Sequence, residues 1–123
     1  MNEIEWLKET FAVCRLTDRE SLPHGPFCFS AETDEEISLV CPQKTVPENA
    51  IACDKGWRGF RIKGVLDFSL IGILARISAI LAEASIGIFV ISTYNTDYVF
   101  VKEENVPETD RLLRDHGYHT EGQ

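Results

Sequence analysis

Apolar and polar residues alternate through "GFRIKGVLDF" (59–68), the period-two pattern of a half-buried strand. The period changes in "SLIGILARISAILAEASIG" (69–87). There Ile73, Ile77, Ile80, Leu81 and Ala84 recur at i, i+4, i+7, i+8 and i+11, one apolar stripe on an amphipathic helix. Ser69 is placed to cap its first free amides, and Gly87 fits the left-handed position after its last turn. Two strands follow, Ile88–Tyr94 and Asp97–Lys102. The next segment, "NVPETDRLLRDHGY" (105–118), begins at Asn105 or Val106 with Pro107 in its first turn, turns Leu112 and Leu113 inward and stops at Gly117. That Pro-first, Gly-last asymmetry marks a helix. The order is strand, helix, strand, strand, helix, with room for a short final strand at 118–121.

A shift of sixty residues lays "FCFSAETDEEISLVCPQKTVPENA" (27–50) without gaps on "GIFVISTYNTDYVFVKEENVPETD" (87–110). Phe29 falls on Phe89, Thr33 on Thr93, and Val46-Pro47-Glu48 on Val106-Pro107-Glu108. Upstream, "FAVCRLT" (11–17) takes the place of the strand at 60–66. Where the second half has its amphipathic helix, the first has only "DRESLPHGP" (18–26), too short and too rich in Pro and Gly to form one. The pattern predicts two half-domains of one ancestry, 1–59 and 60–123, the first lacking its first helix. "GWRGF" (56–60) reads as the linker turn between them. Each half is too small to bury much core by itself.

Composition narrows the function. The 123 residues carry a net charge of −8, and no Lys/Arg cluster is present. That balance argues against nucleic acid and against an anionic membrane surface. No apolar run reaches the roughly 18 residues of a membrane span, and the start "MNEIEWLKE" has no signal-peptide pattern, so a cytoplasmic location is expected. Cys14, Cys28, Cys41 and Cys53 contain no C-x-x-C pair and share no ligand spacing with His24, His116 and His119, so no metal is expected. A reducing compartment disfavours disulfides, and Cys14 and Cys28 sit in apolar settings where free cysteine acts as a small buried hydrophobe.

The β-α-β-β-α order, the polar loop after its first strand and the hydrophobic helix behind that loop resemble the ACT domain, closely over Phe60–Tyr118. Within that superfamily, "STYNTDYVFV" and "LAEASIGI" look most like the small bacterial tandem-ACT proteins, similar to the ACT modules of the CASTOR-type amino-acid sensors. The resemblance implies an α+β, ferredoxin-like fold of antiparallel sheets with helices on one face, here as a tandem duplication. It also implies side-by-side pairing of sheets, a homodimer, and an amino-acid site where the first loop meets a neighbouring module; it does not imply catalysis, and no cofactor is expected. Many ACT domains carry an Asp-x-x-Gly loop. Here the loop is Asp67-Phe68-Ser69-Leu70-Ile71-Gly72, and its glycine arrives later.

On this reading the helix start at Asp67, Ser69, Leu70, Ile71 and Gly72 offers unpaired amides and a partial positive charge to a carboxylate, with Gly72 allowing close approach. Asp97 supplies the opposite charge for an α-ammonium group, assisted by Ser92, Thr93, Asn95 and Thr96, while Tyr94 closes on the ligand side chain. A plainer reading competes with it. Thr and Tyr favour strands, Asn95 suits a turn, and Asp97 satisfies local amides. An enzyme is disfavoured because no nucleophile stands with a His and an acid, and no phosphate-binding glycine loop occurs. The alternative to a ligand sensor is a ligand-free dimerisation module.

Overall fold

A computed structural model describes residues 3–63 and 72–123. Its elements are β1 (Glu3–Leu16), β2 (Phe29–Glu32), β3 (Ile37–Pro42), β4 (Ala52–Lys63), α1 (Ile73–Glu83), β5 (Ile88–Ser92), β6 (Asp97–Lys102), α2 (Val106–Asp115) and β7 (His119–Glu121). Short 3-10 turns at Gln43–Thr45 and Glu103–Asn105 follow β3 and β6. The chain forms two compact units: Glu9–Trp57, and Met1–Lys8 together with Arg58–Gln123. The long strands β1 and β4 therefore each contribute residues to both.

In the larger unit, β4 lies between β1 and β6, β5 is outermost beyond β6, and β7 pairs in parallel with the start of β1. The β5–β6 hairpin runs in register from Ile88↔Val101 to Ser92↔Asp97. Strand alternation sorts the two faces. Ile4, Trp6, Phe60, Ile62, Val99 and Val101 share one core with Ile73, Ile77 and Leu81 of α1 and Leu113 of α2. Both helices therefore cover the same face, the α+β ferredoxin-like arrangement. The intervening residues make the other face, where Arg61 bonds Glu5 at 2.8 Å and Tyr98 at 3.4 Å, and Phe100 stacks on Phe89 with centroids 4.6 Å apart.

The expected helical stripe is largely present. Ile73, Ile77 and Leu81 are buried and Ile80 is packed against them, but Ala84 is the exposed C-cap. Ser69, the expected N-cap, lies outside the described residues. Gly87 does not end the helix. Ser85 does, at φ 59, with Ser85 N–H bonded to Ala82 O at 3.0 Å and Ile86 N–H to Leu81 O at 2.9 Å. This pair of bonds, with buried Ile86 against Leu81, is the Schellman ending, in which Ser85 sits two residues earlier than the glycine. Helix α2 ends the same way, with Gly117 at φ 91 and Tyr118 N–H bonded to Leu113 O.

The smaller unit contains β2, β3, β1 and β4 in that order, with β1 paired antiparallel to β3 from Phe11↔Pro42 to Leu16↔Ile37. Its core is Ala12, Cys14, Leu16, Leu39 and Cys41, joined by Leu22, Cys28, Ile37, Val46 and Ala50. Residues 18–26 form no helix, as their composition requires. Asp18 Oδ1 instead accepts bonds from the Ser21 amide (2.9 Å) and hydroxyl (2.8 Å) to make a turn. The segment 46–51 differs from its counterpart as well. It makes one turn, with Ala50 N–H bonded to Pro47 O at 3.2 Å, and leads directly into β4, so this unit carries neither helix.

The segment 56–60 is not a linker turn; it is the middle of β4. Its glycines serve the strand. Gly56 adopts φ 81 with its amide bonded to Gln43 Oε1, while a Cβ on Gly59 would stand 2.6 Å from the ring of fully buried Phe100. Gly59 is thus a close-approach glycine, a role that flanking pattern alone does not distinguish from a turn.

Candidate functional site

Of the residues expected at the site, Asp67, Ser69, Leu70 and Ile71 lie outside the described residues. Gly72 directly precedes α1 at φ −89 and ψ −7, a conformation open to any residue. Among the described residues, a Cβ there would meet only the Arg76 guanidinium, at 3.8 Å. Gly72 is therefore an exposed helix-start residue whose backbone conformation does not demand glycine.

The structure brings together four of the six residues expected in the β5–β6 turn. Thr93 N–H bonds Thr96 O at 2.9 Å, closing a short loop. The Thr93 hydroxyl donates to Thr96 O at 3.1 Å and accepts from the Thr96 amide at 3.4 Å. This side-chain bonding takes the place of the Asn-Gly geometry that a tighter hairpin uses. Ser92 Oγ donates to Asp97 Oδ1 at 2.6 Å across the last ladder pair, and Thr96 Oγ1 donates to Ile62 O at 2.9 Å, tying the turn to the end of β4. Asp97 is half-buried. Tyr94 is fully exposed and forms no wall in this unit, and Asn95 also faces solvent.

The same turn recurs in the smaller unit. Thr33 N–H bonds Glu36 O at 2.9 Å, and Thr33 Oγ1 accepts from the amides of Glu35 and Glu36 at 3.1 Å. The sixty-residue shift carries β3 onto β6 and the 3-10 turn at Gln43–Thr45 onto that at Glu103–Asn105. Beside the Thr33 turn lies a cavity of about 310 Å³, lined by Arg15 and Leu16 from the end of β1, by Ile37 and Ile51, and by the acidic residues 34–36. Arg15 and the acidic residues 34–36 thus bring charges of both signs beside the aliphatic Ile37 and Ile51. None of the residues expected at the site lines this cavity, although the shift that lays Thr33 on Thr93 points to it.

Other groups supply less chemistry. Among the described residues no cluster of three His, Cys, Asp or Glu is disposed to hold a metal, and no helix is long and apolar enough to cross a membrane. His116 Nδ1 lies 2.8 Å from Leu112 O at the end of α2. The four cysteines are free thiols.

Comparisons with known proteins agree with this architecture. The profile of a family described as the ACT domain matches residues 52–115. The chain superposes on an X-ray structure of a protein from Agrobacterium tumefaciens with a TM-score of 0.87 at 27% identity, covering 99% of this chain and 95% of that one. A Vibrio cholerae protein of unknown function gives 0.70 at 20% identity, over 93% of this chain and 88% of the other. The ligand-free regulatory subunit of aspartate kinase from Thermus thermophilus gives 0.66 at 8% identity, over 91% and 95%. At the last two identities the likeness is one of fold. No curated protein matches.

Proposed function

Because the chain belongs to the ACT domain family, we propose that it is an amino-acid-binding regulatory module without catalytic activity, acting as a homodimer in the cytoplasm. The chain is read as a tandem of ACT-like halves, 1–59 and 60–123, akin to the bacterial tandem proteins and the CASTOR-type sensors. The observation that carries this reading is the repeated polar turn. Both halves close the same loop with a threonine hydroxyl and hold charged groups beside it: half-buried Asp97 in one, Arg15 with the acidic residues 34–36 in the other. Asp97 is proposed to take the α-ammonium group and the start of α1 the carboxylate, as opposite poles of one ligand.

The test is a thermal-shift screen of the whole protein against the twenty amino acids at millimolar concentration. A ligand at about a hundred times its dissociation constant adds roughly 2.7 kcal/mol to stability, a shift of several degrees. Asp97→Ala is expected to remove the shift while the variant still melts cooperatively. Unchanged melting temperatures across the whole set would refute the ligand. The second reading, a ligand-free interaction module, draws on β5. It is the outermost strand of its unit and exposes Val90, and an uncovered edge invites pairing. A flat screen together with a sedimenting dimer would favour that reading.

A further inference from the structure

Cys14 and Cys53 stand on neighbouring strands, β1 and β4, of the smaller unit, and their sulfurs are 3.0 Å apart. Close by, Ile51 N–H bonds Arg15 O at 2.9 Å and fixes the two strands together. A disulfide requires about 2.05 Å, so the sulfurs need approach by only about 1 Å. Access is asymmetric. Cys53 is exposed, whereas Cys14 is 3% exposed within the core of that unit.

We propose that Cys14 and Cys53 are a redox modification site: on reaction with a low-molecular-weight disulfide they form a reversible intrachain bridge between β1 and β4. In the first step the Cys53 thiol loses its proton, and its sulfur attacks the external disulfide. One S–S bond breaks as the mixed disulfide at Cys53 forms, and one small thiol leaves with a proton. Cys14 sulfur then attacks Cys53 sulfur, and the second small thiol departs carrying the Cys14 proton. Two protein thiols are oxidised and one external disulfide is reduced to two thiols. Burial, reinforced by the bond to Cys53, pushes the Cys14 thiol up to about 12, so the exposed Cys53 is the one that meets the reagent first, and Cys14, 3.0 Å away, is placed to follow. The bridge joins residues 39 apart and lies next to Arg15 and Ile51, which line the cavity beside the Thr33 turn.

The experiment treats the folded, full-length protein with oxidised glutathione, quenches with acid and maps peptides by mass spectrometry. Free thiols are expected to fall from four to two, with Cys14 linked to Cys53, no glutathione retained, and a melting temperature raised by several degrees because a long loop is closed. Dithiothreitol should reverse all of these. The proposal is overturned if all four thiols survive, if reaction stops at a glutathione adduct on Cys53, or if Cys14 is found joined to Cys41. Cys53→Ser alters an exposed position, so the variant should fold. An equal oxidant-dependent rise in its melting temperature would also overturn the assignment.

Discussion

Replacing Asp110 with Ala probes the longest-range side-chain hydrogen bond among the described residues of the larger unit. Trp6, 2% exposed, donates its indole N–H to Asp110 Oδ1 at 3.0 Å across 104 residues of chain. The other carboxylate oxygen accepts from Gln123 Nε2 at 3.2 Å and faces Arg114 Nε at 2.9 Å. Alanine leaves the indole N–H buried without a partner, at a cost of about 1–3 kcal/mol, toward the upper end because the lost acceptor is charged. The Arg114 ion pair adds at most about 1 kcal/mol, since Arg114 is 52% exposed and screened. Alanine's better helix propensity returns about 0.5 kcal/mol, and relief from holding a charge at an 8%-exposed position returns some more. The net is a loss of about 2 kcal/mol, read by urea denaturation followed by circular dichroism and tryptophan fluorescence. Trp6→Phe removes the donor itself, so the double variant should be less destabilised than the sum of the singles, by about 1 kcal/mol or more. A loss below about 0.5 kcal/mol for Asp110→Ala, or strict additivity in the cycle, would refute the assignment.

Three further outcomes follow from single residues. Ser85→Gly should stabilise by about 0.5–1 kcal/mol, because glycine holds the φ 59 of the α1 ending without strain; calorimetry of the variant checks it. Gly59→Ala should destabilise by about 1–3 kcal/mol, because its methyl meets the stacked, fully buried ring of Phe100 at 2.6 Å; an unchanged urea midpoint would show that the ring yields. Alkaline titration should weaken the fold. The Cys14 thiol is pushed from 9.0 to about 12, so its contribution is intact below pH 9 and is lost as pH rises toward 12. Cys14→Ala should flatten that part of the stability profile relative to the parent.

The hairpin, both helices and the terminal β7 were legible because each is specified locally. Short apolar runs on either side of the polar turn marked β5 and β6, the stripe of Ile73, Ile77 and Leu81 set α1, and Pro107 with Gly117 bounded α2. The opening of β1 was not placed, although Ile4 and Trp6 alternate with Glu3 and Glu5. Its partners come from β7, at the opposite end of the chain, and from β4, some fifty residues on. Nothing near residues 3–8 announces either neighbour. The glycines at 56 and 59 misled for a related reason. Whether a glycine bends a chain or admits a ring depends on what lies across from it, and for Gly59 that is a phenylalanine 41 positions later.

The candidate site divides along the same line. The internal bonds of the polar turn were implied by its residue types, because a threonine hydroxyl reaches its own backbone within three residues. Those bonds also show that a cluster of hydroxyls near a strand end is no ligand site merely by being polar. Thr93 and Thr96 are engaged in holding the loop and its tie to Ile62, so on the proposed reading their part is to fix the groups beside them. Asp97 differs, since its Ser92 bond engages Oδ1 and, among the described residues, Oδ2 has no hydrogen-bond partner. If recognition works this way, loosening the turn should damage binding without touching a ligand-contacting atom. Thr96→Val, which deletes the bond to β4 and keeps the shape, should weaken any amino-acid response found in the thermal screen by several-fold, and Asp97→Ala should abolish it. The reverse order of effects would place the ligand on the hydroxyls and remove the carboxylate from its assigned role.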